Sequence, residues 1–124
     1  MTFDEVNILG NLINTTYGRS SSLAGDYSIK CDLAGETMTL KYSTIVHFAS
    51  ERALTMQVNQ CKEEAHSRLS DYITNLKRDF RDLSGNSLKT SDSDMTDNVE
   101  LIQSTSNSPR KIAYYRMHHV FTVD

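Results

Sequence analysis

An apolar stripe between residues 50 and 84 constrains the fold of this chain more than any other feature of its sequence. Its members recur at steps of three or four residues: Leu54, Val58, Cys61, Ala65, Leu69, Tyr72, Leu76, Phe80 and Leu83. The mean step of about 3.6 residues is the period of a straight α-helix, whereas a coiled-coil seam keeps 3.5. Ser50 is suited to cap the start of this helix, and Ser84-Gly85 to end it. The sequence therefore predicts one helix near residues 50–84, about 50 Å long.

A β-hairpin is predicted before this helix. Apolar residues alternate with polar ones on both sides of a short segment that contains Gly35. Period two on either side of a glycine-containing turn is typical of two antiparallel strands. The apolar residues that would share the buried face are Ile29, Cys31, Leu33, Met38, Leu40 and Tyr42. The other face of this hairpin is nearly all polar, so we expect only one side to lie on the core.

A short amphipathic helix is predicted at the start of the chain, over residues 3–16. Thr2 and Glu5 have the spacing of a capping box. The apolar residues at helical spacing are Phe3, Val6, Leu9 and Ile13. Gly10 weakens this helix, and Tyr17-Gly18 is suited to end it.

A second antiparallel hairpin is predicted at the end of the chain, after a polar link over residues 86–98. Its last strand carries Ala113, Tyr115, Met117, Phe121 and Val123 on one face. Matching the apolar faces places Val99 and Leu101 beside Met117 and Tyr115, and Glu100 beside Arg116. A turn at residues 107–109 gives that register.

These elements predict an α+β protein in which a mostly antiparallel sheet lies against the long helix. The 124 residues suit one domain, 1–124, that folds without metal or disulfide staples. Apolar runs are too short for a spanning helix, and the first residues lack a secretory signal, so we expect no membrane association. We interpret Cys31 and Cys61 as buried free thiols. A disulfide would need their two elements to face each other.

The sequence lacks the usual marks of catalysis or cofactor binding. It has no nucleophile-elbow pattern and no phosphate-binding glycine loop. His118 and His119 would point to opposite faces of a strand, so they cannot chelate one ion. The acidic residues Asp92, Asp94 and Asp97 lack the glycine and closing glutamate of a calcium loop. We therefore predict a protein that is not an enzyme and has no catalytic, cofactor or metal site.

Nucleic-acid binding has one local argument. The segment that contains Arg110, Lys111, Tyr114, Tyr115 and Arg116 mixes cations with aromatic rings, as a platform for single-stranded nucleic acid does. The net charge of −3 and the acidic segment beside these residues oppose it. We therefore rank nucleic acid below protein subunits as a partner.

The last hairpin carries apolar residues on its second face as well. A sheet that is apolar on both sides must be covered on both, and the long helix covers only one. The candidate protein interface on this second face comprises Ile102, Ile112, Tyr114, Arg116 and Val120. Either the N-terminal helix or another protein chain could cover it.

The segment SPRKIAYYRMHHVFTV, preceded by LKRDFRDLSGNSLK, resembles small structural proteins of T4-like tailed bacteriophages. The resemblance covers the C-terminal third and implies a component of the virion neck, tail or baseplate. The resulting hypothesis is a structural assembly protein in a homo- or hetero-oligomeric, ringed particle. The alternative is a small cytoplasmic binding adaptor, with nucleic acid as one candidate ligand.

Overall fold

The computed structural model of this protein describes residues 1–14, 27–102 and 111–124. The described chain runs, in order, through α1 (Phe3–Leu12), β1 (Tyr27–Ala34), β2 (Thr37–Phe48), α2 (Glu51–Ser84), β3 (Thr90–Ile102) and β4 (Lys111–Val123). The strands form one antiparallel sheet in the order β1-β2-β4-β3. Helix α2 packs on β2 and β4. The predicted α+β architecture, a sheet against the long helix, is confirmed.

Helix α2 has the predicted bounds because both of its ends are capped. The hydroxyl of Ser50 accepts a hydrogen bond from the Ala53 backbone N–H at 3.2 Å. Gly85, with a φ of 75°, adopts the left-handed conformation that ends many helices. The central members of the predicted stripe are buried: Ala65, Leu69, Tyr72, Leu76 and Phe80. The assignment of Leu83 to the stripe is wrong, because its side chain is 64% exposed beyond the area that the sheet covers.

Strands β1 and β2 form the predicted hairpin. Ala34 pairs with Thr37, so the turn is the two residues Gly35 and Glu36. Gly35 has a φ of 61° and Glu36 does not have a positive φ, as expected for a type II′ turn. Five side chains of the predicted buried face are buried: Ile29, Cys31, Met38, Leu40 and Tyr42. Leu33 is only half-buried, and Val46 and Phe48 of β2 are buried as well.

Strands β3 and β4 form the second hairpin, with a register that differs from the predicted one. Val99 lies opposite Tyr115 instead of Met117, and Leu101 lies opposite Ala113 instead of Tyr115. The difference of two residues keeps every side chain on its predicted face. Face matching therefore cannot distinguish the two registers, and only the length of the turn can. The predicted turn at 107–109 lies outside the described residues.

Strand β3 is longer than the sequence predicts, because the residues expected to be a polar link already pair with β4 from Thr90 onward. A bulge between Asp92 and Asp94 interrupts the register. The hydroxyl of Ser93, at this bulge, lies 3.0 Å from that of Thr122. Every side chain from Ser91 to Leu101 is exposed, so backbone pairing with β4 defines this strand and burial does not.

Helix α1 begins with the predicted capping box. The Glu5 N–H donates to the Thr2 hydroxyl at 3.2 Å, and that hydroxyl donates to the Glu5 carboxylate at 3.0 Å. The α-helix Phe3–Leu12 continues as a π-helical turn through Ile13 and Asn14, and the predicted end at residue 16 lies outside the described part. Its buried side chains are Leu9, Leu12 and Ile13. Phe3 and Val6 were expected in the core but are 80% and 41% exposed, because α1 meets α2 only through its C-terminal half.

Both helices lie on the same face of the sheet. Leu9, Leu12 and Ile13 of α1 belong to the same buried cluster as the helix-facing side chains of β2 and β4. Cys31 is buried in this cluster, whereas Cys61 is only half-buried at its margin, and both are free thiols. The opposite face of the sheet, here named the outer face, carries neither α1 nor α2.

Candidate functional site

The outer face of β4 carries the candidate interface residues. Side chains alternate along a strand, and the buried residues Ala113, Tyr115 and Met117 face the helices. Ile112, Tyr114, Arg116, His118 and Val120 therefore point to the outer face, which agrees with the predicted faces. His118 is exposed, and the others are half-buried by their neighbours in the sheet.

Cross-strand pairing brings four apolar side chains together at one end of this face. Tyr114 lies opposite Ile45 of β2, and in the next row Ile112 lies opposite Ile102 of β3. Directly opposed residues of adjacent strands have Cβ atoms about 5 Å apart, so these side chains form one surface. We name it the outer patch: Ile45, Ile102, Ile112 and Tyr114.

A charged pair borders the outer patch. The Arg116 guanidinium carbon lies 4.9 Å from the centre of the Tyr114 ring, a cation–π arrangement. The same guanidinium forms an ion pair with the Glu100 carboxylate. Glu100 lies directly opposite Tyr114 on β3. Because the two charged side chains are 36% and 59% exposed, this pair contributes little to stability and serves mainly to fix the edge of the patch.

A groove of about 390 Å³ opens beside the patch. It forms where β1 begins at Tyr27, opposite Thr44, while β2 continues to Phe48. Its lining comprises Tyr27, Ser28, Ser43, Thr44, Ile45, His47, Tyr114 and Arg116. The Ser28 and Ser43 hydroxyls lie 2.9 Å apart on its floor. This lining offers apolar surface and several hydrogen-bonding groups, which suits a side chain of a partner protein.

The structure brings together four of the five predicted interface residues. Val120 is separate: it lies six positions from Tyr114, which is about 20 Å along a strand. Its neighbours are Thr39 and Asp94, so it has no apolar surroundings on this face. Val120 therefore lies on the predicted face but apart from the outer patch, because a shared face of a long strand is not a shared location, and its part in an interface stays a prediction.

The sequence analysis also missed two residues of this site, Ile45 and His47. It described the second face of the first hairpin as nearly all polar. The alternation of Tyr42, Val46 and Phe48 toward the core would have placed both residues on the outer face. The prediction of this hairpin used the alternation only as far as Tyr42, and the same alternation continues for a few residues beyond it.

The N-terminal helix does not cover the outer patch. α1 packs against α2, on the other side of the sheet. The sequence left two possible covers for this face, the N-terminal helix and another protein chain. In the described part of the chain, no helix covers it. Ile45 consequently remains 44% exposed.

Tyr114 and Tyr115, which were considered as an aromatic platform for nucleic acid, do not share a surface. Tyr114 and Tyr115 point to opposite faces of β4. Tyr115 is fully buried, and its hydroxyl donates to the Asp97 carboxylate at 2.9 Å. Because Tyr115 is buried, Tyr114 is the only ring of this pair that lies beside Arg116. Arg110 lies outside the described residues.

The histidines and the acidic residues are dispersed. His118 is on the outer face, while the His119 ring stacks on Phe121 toward the helices and its Nε2 lies 3.6 Å from Asp92 Oδ1. Asp92, Asp94 and Asp97 are exposed, as predicted. Within residues 1–14, 27–102 and 111–124, no three histidine, cysteine or acidic side chains are grouped so that they could hold a metal ion. Neither helix in these ranges has the length and apolar character needed to cross a membrane.

Comparisons of the chain with protein-family models, with curated proteins and with solved structures find no match in any of the three. The function is therefore argued from the chemistry of the outer patch and its surroundings.

Proposed function

We propose that this protein is a non-enzymatic structural protein that assembles into a multi-chain particle, and that the outer patch is the centre of one of its subunit interfaces. The observation that carries the proposal is the partly exposed apolar surface of Ile45, Ile102, Ile112 and Tyr114 on the sheet face that neither α1 nor α2 covers. A sheet that is apolar on both faces is stable in water when both are covered.

The composition of this surface supports a protein partner. Interface cores are enriched in aromatic residues and arginine, and polar residues surround them. Tyr114 supplies a large ring at the centre, and the Arg116–Glu100 pair lies at the border. The groove beside Tyr114 can accept a protruding side chain of the partner.

The kind of particle is proposed from the resemblance of the C-terminal third to small T4-like phage proteins. On that resemblance we propose a virion component of the neck, tail or baseplate, where subunits form rings. A stiff helix of 34 residues beneath a four-stranded sheet is a suitable rigid block for such a ring.

A cytoplasmic adaptor that binds nucleic acid is the second candidate. The observation in its favour is a row of basic side chains across the outer face, in which Lys41 lies between Lys30 and His118. Lys41 is already paired with Asp32 at 3.0 Å, and the chain has a net charge of −3. Both facts weaken attraction to phosphates, so we rank this function second.

The test is Tyr114→Asp, with native mass and melting temperature measured in parallel. A charge at the centre of an apolar interface costs several kcal/mol when it is buried without a partner, but little on a free surface. The matched control is His118→Asp, which places the same charge on the same face of the same strand at an exposed position.

We expect Tyr114→Asp to abolish high-mass assembly with a melting temperature close to that of the dissociated wild type, and His118→Asp to assemble normally. Unfolding of the Tyr114→Asp monomer would mean that the chain itself covers this face. An unchanged mass distribution would mean that the face is ordinary solvated surface. Salt-sensitive retention of the wild type on DNA or RNA, without assembly, would favour the adaptor.

A further inference from the structure

Strand β3 is an open edge of the sheet. It pairs with β4 on one side only, and no strand in the described part of the chain pairs with the other. Its 13 residues extend over roughly 40 Å. From Asp94 to Ile102 the register with β4 is continuous, so every second residue of this nine-residue segment presents an unpaired backbone N–H and C=O at regular spacing. Such an edge is a template for a strand from another chain.

Within Asp94–Ile102, the helix-facing side of β3 carries three uncovered apolar side chains and Asp97, whose carboxylate accepts a hydrogen bond from Tyr115. Met95, Val99 and Leu101 are 45%, 40% and 65% exposed, because α2 lies over β2 and β4. A crevice of about 280 Å³ between α2 and β3 has Ile73, Met95 and Phe121 among its lining. The one charged side chain on this side of the segment, Asp97, is bonded to Tyr115, and the three apolar side chains beside it stay exposed. Exposed apolar side chains on an open edge favour contact with apolar side chains of an added strand.

The charges on β3 have one sign. The strand contains Asp92, Asp94, Asp97 and Glu100 and no lysine or arginine. Arg116 compensates Glu100 from the neighbouring strand, and Asp97 accepts a hydrogen bond from Tyr115. Pairing of β3 with β3 of a second copy would double the carboxylates along one ladder without adding a cation to either strand, which is unfavourable.

From these three features we infer that β3 binds an extended basic segment of another protein, which adds to the sheet as a fifth strand along Asp94–Ile102. One side of that segment carries apolar residues against Met95, Val99 and Leu101. The other side carries lysine or arginine near Asp94 and Glu100. This surface adjoins the outer patch at Glu100 and Ile102 but differs from it in mode of binding, since main-chain hydrogen bonds supply much of the affinity.

The test uses a synthetic nine-residue peptide in which lysine alternates with valine, capped at both ends. It is titrated to millimolar concentration into the full-length, ¹⁵N-labelled protein, and amide shifts are followed by NMR. One comparison peptide has glutamate in place of lysine. Two further peptides keep lysine but carry N-methyl groups on their peptide nitrogens, one peptide along one edge of the strand and the other along the opposite edge. N-methylation removes main-chain donors without changing the charge of the peptide.

The protein variant is Asp94→Lys with Glu100→Lys. Its control is Asp32→Lys with Glu64→Lys, which changes net charge equally but lies toward β1: Asp32 is on that strand, and Glu64 pairs with Arg68, which lies over Tyr27 of β1. We expect shifts confined to β3 and its neighbours on β4. We expect about tenfold weaker binding for the first variant and unchanged binding for the control.

Three results would overturn the inference: no binding at millimolar peptide, equal binding of both N-methylated peptides, or shifts centred away from Asp94–Ile102. The first would make the carboxylates a purely protective feature of the edge. The second would show a diffuse charge attraction. Ile45→Asp changes the outer patch on β2, which β4 separates from β3, and should bind the lysine peptide as well as wild type, so the outcome here is distinguishable from that of the proposed assembly.

Discussion

Ile45 of β2 lies directly opposite Tyr114 of β4 on the outer face of the sheet, away from α1 and α2. The two residues are 69 positions apart in the chain, and only the antiparallel pairing of β2 with β4 brings them together. Their contact joins the end of the first hairpin to the second hairpin, and it makes the outer patch a surface of three strands.

The first prediction is that Ile45→Asp and Tyr114→Asp disrupt assembly through the same interface. Each should lower the fraction of high-mass species at a fixed protein concentration, and the double variant should be little worse than either single one. Residues in contact show such non-additivity, whereas distant sites add. Native mass over a concentration series measures it. Fully additive losses would indicate two separate surfaces.

The second prediction compares two leucines of α2. Leu69 is 2% exposed and Leu83 is 64% exposed, although both belong to the stripe read from the sequence. Leu69→Ala should lower the free energy of unfolding by roughly 2–5 kcal/mol, since it leaves a cavity between helix and sheet. Leu83→Ala should change it by less than about 0.5 kcal/mol. Urea unfolding measures both, and equal costs would refute the observed end of the buried stripe.

The predictability of the elements follows from how each is stabilised. α2 could be predicted almost to the residue, because burial of one face imposes a period over 34 residues and both caps have sequence signals. β3 could not, because its side chains from Ser91 to Leu101 are exposed and its strand conformation comes from pairing with β4. Pairing between distant segments leaves no periodic mark in a polar sequence.

The candidate site was predictable in part for a related reason. Alternation along β4 placed Ile112, Tyr114 and Arg116 on one face correctly, because parity is a local property. Their neighbour Ile45 and the distance to Val120 depend on strand order and register, which are set by the whole sheet. The register itself differed by two residues from the prediction, since both registers satisfy the same apolar pattern.

The third prediction concerns adjacent tyrosines of β4. The buried Tyr115 hydroxyl donates to Asp97 at 2.9 Å, while Tyr114 lies on the outer face. Tyr115→Phe should lower the free energy of unfolding by about 1 kcal/mol, the usual net value of such a hydrogen bond. Tyr114→Phe, which removes the same atom one position away, should cost less than about 0.5 kcal/mol. A Tyr115→Phe protein as stable as wild type would show that this bond adds nothing in solution.

The fourth prediction concerns thiol reactivity. Burial raises the pKa of the Cys31 thiol to about 11, and it also raises the pKa of Cys61, which is only half-buried. The thiolate is the reactive form, so near pH 8 both should react more slowly with a disulfide reagent than a free thiol does. Cys61 should react before Cys31. Single variants, Cys31→Ala and Cys61→Ala, assign the two phases, and denaturant should abolish the difference. Faster labelling of Cys31 would contradict its placement under the helices.

The fifth prediction is a loss of stability at alkaline pH. Burial holds the pKa of Cys31 near 11 and raises the pKa of Tyr42 and of Tyr115 above their usual value. Next to Tyr115, the Asp97 carboxylate raises that pKa further. In the unfolded chain these groups lose their protons at lower pH than in the folded protein. The unfolded state therefore binds fewer protons than the folded state, and the free energy of unfolding must fall as pH rises.

For Cys31 the decrease should begin near its unfolded pKa of about 9 and be complete near 11, amounting to at most about 3 kcal/mol. The tyrosines should extend the decrease from about pH 10 upward. Urea unfolding at intervals between about pH 8 and 11 measures the slope. Cys31→Ala should reduce the part that begins near pH 9 and leave the contribution of Cys61, whose pKa is also raised, and the part due to the tyrosines. A decrease of the same size and onset in Cys31→Ala would mean that this thiol titrates alike in the folded and unfolded states, which its burial among the side chains beneath α2 does not allow.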